Sequence, residues 1–166
     1  MIKNVFLGKS TYLKSNIKKM ENNNSLTVTV AHDYLCPWCW AGMFHARRLR
    51  EKFPQITLNW VGYELLPEEL ATLSDYPPQP RDPTQPPTRF EAFAEAEGVV
   101  LHERTIGVVR THSALEGAEF VKEYALDRFD EYNEAVYRAY WERSEDISDL
   151  TALGRIASDC GLDKAA

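Results

Sequence analysis

Between Leu26 and Val30 apolar and hydroxylated residues alternate, as Leu26-Thr27-Val28-Thr29-Val30. Thr27, Thr29 and Ala31 share one face, and Val28, Val30 and His32 share the other. This period of two, in a β-branched run, predicts a strand over 26–34. Further on, Ile56, Leu58 and Trp60 alternate with Thr57, Asn59 and Val61, which predicts a second strand over 56–63. Between the two the period changes. Met43, Phe44, Ala46, Leu49 and Phe53 recur at helical spacing among Arg47, Arg48, Arg50, Glu51 and Lys52. A helix is therefore predicted from Trp40 to about Lys52, closed by Pro54. Strand, helix and strand joined by short links form a βαβ unit, with parallel strands and a right-handed crossover.

From Phe90 onward every periodic stretch is helical. Phe90, Phe93 and Ala94 mark a short helix ended by Gly98, and Leu115, Ala118, Val121, Tyr124 and Ala125 mark another. A third carries Phe129, Tyr132, Ala135, Val136, Ala139 and Tyr140. A fourth carries Leu150, Leu153, Ile156 and Ala157, with Ser148 as its expected N-cap and Gly161 as its stop. Residues 77–87 hold six of the nine prolines, a density no helix or central strand tolerates. The expected organisation is a tail over 1–25, the strand–helix–strand unit over 26–66, a Pro-rich linker over 67–89 and an all-helical subdomain over 90–166. The fold class is α/β.

Charge narrows the partners. The chain is -6 overall, with no basic excess to meet phosphates, so nucleic acid is not an expected partner. Residues 1–20 run the other way, with five lysines and no acid. Val5-Phe6-Leu7 is broken at once by Gly8, Lys9 and Ser10, so it is too short for a secretory signal, and the lack of Arg argues against a transit peptide. This segment is expected to be a disordered tail, with residues 1–19 dispensable and Met20 an alternative start. No run approaches the ~18 apolar residues of a membrane span. Three cysteines do not make a disulfide framework. The expected location is cytoplasmic, where a Cys-x-x-Cys pair is more often catalytic or redox-sensing than structural.

That pair is Cys36-Pro37-Trp38-Cys39, set between the first strand and the helix. Free N–H groups and the dipole at a helix N-terminus favour a thiolate on Cys36, the expected nucleophile. Cys39, one turn on, can attack a mixed disulfide formed by Cys36 and is the expected resolving thiol. Pro37 suits the first helical turn. Trp38 adds apolar area without positive charge, and with Trp40 it can form a lip for substrates; packing is the favoured role for Trp40. Asp33 is either a base for Cys39 or an ordinary loop carboxylate. His32 is expected in the core, and His45 on the surface or in packing. His102 and His112 carry no motif. Cys160 is expected to be a small buried residue. A zinc site would need two more ligands than one Cys-x-x-Cys provides, and no second cluster follows, so no metal and no cofactor are expected.

The segment Asp33-Tyr34-Leu35-Cys36-Pro37-Trp38-Cys39-Trp40-Ala41-Gly42 resembles the active-site signature of DsbA-like thioredoxin-fold oxidoreductases of the FrnE type. Trp60 to Pro67 resembles the second strand and its exit in that family. Glu142 to Asp149, followed by Leu150 to Asp163, resembles the end of its helical insertion. The resemblance implies a thioredoxin-like fold interrupted by helices, and thiol–disulfide exchange with protein thiols or disulfides or with small thiols such as glutathione. It also implies a second half of two strands, a closing helix and a cis-proline loop. This sequence has no proline after Pro87 and ends at Ala166, so truncation and impaired catalysis are the expected consequences. Glutathione-dependent isomerases or transferases of the kappa and hydroxychromene-carboxylate type are an alternative. They generally lack the second cysteine, which counts against them.

Overall fold

The computed structural model describes residues 25–69, 73, 76, 77, 82, 84–103 and 105–162. The expected basic tail, and with it the dispensability of residues 1–19, lies outside the described residues, as does much of the Pro-rich stretch.

β1 (Leu26–His32) and β2 (Ile56–Gly62) form a two-stranded parallel sheet, in register from Leu26 opposite Ile56 to His32 opposite Gly62. β1 ends two residues before the predicted limit. The chain turns there, with the Asp33 carbonyl accepting from Cys36 N at 3.1 Å. α1 (Pro37–Lys52) starts earlier than predicted, at Pro37, whose missing N–H costs nothing in a first helical turn. Its apolar face also differs from the prediction. Trp40, Ala41 and Met43 are buried, whereas Leu49 and Phe53 are exposed. The helix packs through its first half.

α2 (Arg89–Ala96) opens with a reciprocal cap. Thr88 Oγ1 accepts from Glu91 N at 3.2 Å, and the Glu91 carboxylate accepts from Thr88 N at 2.6 Å. α3 (His112–Tyr124) packs on β2. Gly62 permits this approach, since a Cβ there would lie 3.2 Å from Leu115 Cβ. A single 3-10 turn (Leu126–Arg128) leads into α4 (Phe129–Arg143). α5 (Leu150–Asp159) is capped by Asp149, which accepts from Thr151 N at 2.9 Å. The expected cap, Ser148, is instead drawn into the preceding turn by Asp146 Oδ1. Gly161 ends this segment at φ 75°, a left-handed conformation that favours glycine.

α4 organises the molecule. A surface helix buries one stripe. α4 buries Tyr132, Asn133, Val136, Tyr137, Tyr140 and Trp141, which together wrap much of its circumference. Its rings enter the same core as Tyr34, Trp40 and Trp60 of the strand–helix–strand unit. The Tyr137 ring stacks on Trp40 at 5.3 Å and meets Tyr34 edge-on at 4.7 Å. Truncating a buried aromatic of this kind costs about 3–5 kcal/mol. Ion pairs Arg47–Glu134 and Arg50–Asp130 join α1 to α4 at the surface, where each contributes little.

Candidate active site

Cys36 is the N-cap of α1, in an extended conformation (φ -82°, ψ 112°), with Pro37 directly after it. Its carbonyl accepts from Cys39 N at 3.1 Å and from Trp40 N at 3.2 Å. Cys39 therefore sits inside the first turn, one turn beyond Cys36. Both thiols are free and half-buried. Burial pushes the Cys39 thiol up to about 11. A backbone hydrogen bond from Asp33 opposes this shift, while the Cys36 side chain and the Asp33 charge reinforce it. Cys39 is thus a protonated thiol at neutral pH, suited to a resolving role only once its proton leaves.

The turn before the pair is tied down by hydrogen bonds to Asp33, Tyr34 and Leu35. Asp33 is buried, and its carboxylate accepts from Leu35 N at 3.0 Å and from Leu65 N at 2.6 Å. It clamps the exit of β1 to the exit of β2. The Asp33 carbonyl accepts from Cys36 N and also from the Tyr137 hydroxyl at 3.2 Å. The next carbonyl, of Tyr34, accepts from Trp141 Nε1 at 2.9 Å. The Tyr34 hydroxyl donates to Asn133 Oδ1 at 2.8 Å. His32 is buried, with Nδ1 2.9 Å from the Tyr137 hydroxyl. Desolvation lowers its imidazole to about 4, with Lys122 adding to the shift and Glu119 opposing it, so His32 is neutral at pH 7.

A family model described as the DSBA-like thioredoxin domain matches residues 27–166. The chain belongs to that family. The DSBA-like chain is 30% identical over 147 residues to the uncharacterized protein YwbO of Bacillus subtilis strain 168, covering 84% of this chain and 68% of that one. Its fold is similar to that of a probable DsbA oxidoreductase of Streptomyces coelicolor, SCO1869, with a TM-score of 0.65 at 22% identity over 83% of this chain. It is also similar to the cytosolic disulfide reductase DsbM of Pseudomonas aeruginosa solved with GSH, with a TM-score of 0.60 at 14% identity over 82% of this chain. The chain spans 64% and 66% of those two structures. It carries a partial DsbA-like thioredoxin fold.

The remaining candidates of this DSBA-like domain separate by position. Trp38 is 54% exposed and meets Phe90 edge-on at 6.2 Å, and Phe90 in turn packs on Trp141 at 5.2 Å. An aromatic surface thus begins next to Cys36. Trp40 is buried in the core, with the Arg138 guanidinium over its ring at 5.6 Å. His45 is exposed on α1, pairing with Arg48 at 3.1 Å and lying against Phe93. His112 is exposed beside Glu64 and Glu116, which raise its pKa, the Glu64 hydrogen bond most. Cys160 is buried at the C-terminus of α5. Sequence reasoning missed Asn133, Tyr137 and Trp141. Their signal is a spacing of four on one helix in residues that each carry a polar atom, which needs a partner once buried.

Proposed function

We propose that this chain carries thiol–disulfide exchange through Cys36 and Cys39, acting on protein disulfides or small thiols such as glutathione. The observation that carries this reading is the pair of free thiols at the N-terminus of α1, with Cys36 as the N-cap and Cys39 in the first turn. In the reducing direction the Cys36 thiolate attacks one sulfur of a substrate disulfide. A Cys36–substrate bond forms, the substrate S–S bond breaks and the first thiolate leaves. Cys39 then loses its proton to solvent or to that leaving thiolate and attacks Cys36 Sγ. The second substrate thiolate is expelled, and a Cys36–Cys39 disulfide remains. The substrate has gained two electrons and the protein has lost two. An external dithiol, or two glutathione molecules, returns them, and the reverse sequence oxidises a dithiol substrate.

Pro37 and Trp38 shape this step. Pro37 fits the first helical turn and adds no N–H donor to the thiolate, and the exposed Trp38 ring offers apolar contact to groups flanking the substrate disulfide. Asp33 holds the turn in place through Leu35 N and Leu65 N. This reading puts the chain in a reducing, cytosolic-type compartment, where the free thiol pair persists. Turnover of a peptide disulfide with glutathione as electron source tests it. The wild-type chain should turn over, and Cys36→Ser should lose at least about 100-fold, the scale expected for removing a nucleophile. Equal turnover in Cys36→Ser would refute the assignment.

A further inference from the structure

Cys36 enters the hydrogen-bond ladder of α1 through its carbonyl alone. Cys39 is held within it. The separation of the two sulfurs therefore depends on what fixes the chain just before Cys36. That support is the Asp33 carbonyl, which takes Cys36 N–H on one side and the Tyr137 hydroxyl on the other. A tyrosine has one proton to give. If it goes to Asp33 O, the Tyr137 oxygen must accept from His32 Nδ1, 2.9 Å away. His32 is then the Nδ1–H tautomer, held edge-on by Tyr34 and Trp60 with ring centroids 5.3 Å away in each case. The order of donation is His32 Nδ1–H to Tyr137, Tyr137 O–H to Asp33 O, and Cys36 N–H to that same oxygen. One turn further along α4, Trp141 holds the neighbouring Tyr34 carbonyl.

We infer that Tyr137 is a positioning residue for the exchange chemistry. With His32 it fixes the carbonyl on which Cys36 hangs, so that a helix outside the strand–helix–strand unit sets how readily the Cys36–Cys39 disulfide closes. This rests on the proposed exchange at that pair. Removing the Tyr137 hydroxyl leaves Asp33 O with one donor and strands a buried His32 N–H. Cys36 then samples more positions, and the effective concentration of Cys39 beside it falls.

The test is the equilibrium between the full-length chain and a glutathione redox buffer, read by acid trapping and mass spectrometry. Tyr137→Phe should lower the equilibrium constant for the intramolecular disulfide by about fivefold, the order expected for one lost hydrogen bond. Tyr132→Phe is the control. Tyr132 is equally buried on the same helix, but its hydroxyl sits at Gly117, and the variant should stay within about twofold of wild type. An unchanged equilibrium in folded Tyr137→Phe overturns the inference while leaving the exchange chemistry standing. A wild-type chain that forms no Cys36–Cys39 disulfide overturns both. Should Tyr137→Phe fail to fold, 15N NMR of the wild-type chain decides. Protonation of His32 at Nδ1 supports the hydrogen-bond chain, and protonation at Nε2 overturns it, because Tyr137 would then be donating to His32.

Discussion

Both carboxylate oxygens of Asp33 end on backbone amides, at Leu35 and Leu65. Its carbonyl holds Cys36 N. One residue thus links both strand exits through its side chain and the helix start through its carbonyl, and its negative charge works against ionisation of Cys39. The sequence left Asp33 open as a base for Cys39 or an ordinary loop carboxylate; in the structure it is buried and both oxygens accept backbone N–H bonds that hold the turn. The same electrostatics make a prediction for Cys39. Burial is the largest cause of its raised pKa, so the Cys39 thiol should stay above its ordinary range when Cys36 is replaced, although the contributions of Cys36 are lost. In Cys36→Ser, alkylation of Cys39 by iodoacetamide should rise about tenfold per pH unit and still be climbing above pH 9.5, since the thiolate is the nucleophile. A plateau by pH 9 would contradict the burial of this thiol.

At the scale of elements, α4 both fills the core and hydrogen-bonds the segment that precedes Cys36. Asn133, Tyr137 and Trp141 recur every four residues and meet the Asp33–Tyr34 segment, so a stripe of one helix holds the approach to Cys36. Trp141→Phe keeps most of the ring area but removes the donor to a buried carbonyl. It should destabilise the fold by about 2 kcal/mol in urea denaturation, within the range for a buried group left unpaired. A loss below about 0.5 kcal/mol would mean that the bond contributes nothing net. Much of this layer was visible in the sequence. The alternation over Leu26–His32 and Ile56–Gly62 and the helical periods of α2 to α5 report on burial, with Tyr124 and Leu150 as exposed exceptions at helix ends, and burial is what hydrophobic spacing encodes. The role of α4 was hidden because Tyr137 and Trp141 read as more aromatic area on an already apolar helix. Their partners, two backbone carbonyls more than a hundred residues away, leave no trace in local spacing. The exposed Leu49 and Phe53 were misjudged for a related reason. Period identifies a face, but tertiary packing decides how far along the helix that face is covered.

Across the whole molecule, the aromatic core joins the two-stranded sheet to the helices, and a titratable group sits at its centre. His32 is buried between Tyr34, Trp60 and Tyr137, with its pKa lowered from 6.5 to about 4. In the unfolded chain the same imidazole takes up a proton near pH 6.5. Its contribution to stability is therefore complete above pH 6.5 and is lost as pH falls through about 4. The total loss is about 3 kcal/mol, from roughly 1.4 kcal/mol per pKa unit. His32→Asn removes the titration while leaving the carboxylates common to both chains. Denaturation profiles between pH 7 and 4 should show the wild-type chain losing about 3 kcal/mol more than the variant. Parallel profiles would contradict the desolvated imidazole. No helix among the described residues is long and apolar enough to cross a membrane.

The most direct measurement is covalent trapping at the thiol pair. Cys39→Ser and Cys36→Ser are each mixed with a peptide disulfide, quenched in acid and mapped by mass spectrometry. Attack by Cys36 followed by resolution by Cys39 predicts that Cys39→Ser accumulates a mixed disulfide on Cys36 and that Cys36→Ser accumulates none on Cys39. Adducts formed equally at the two positions, or at neither, would contradict it.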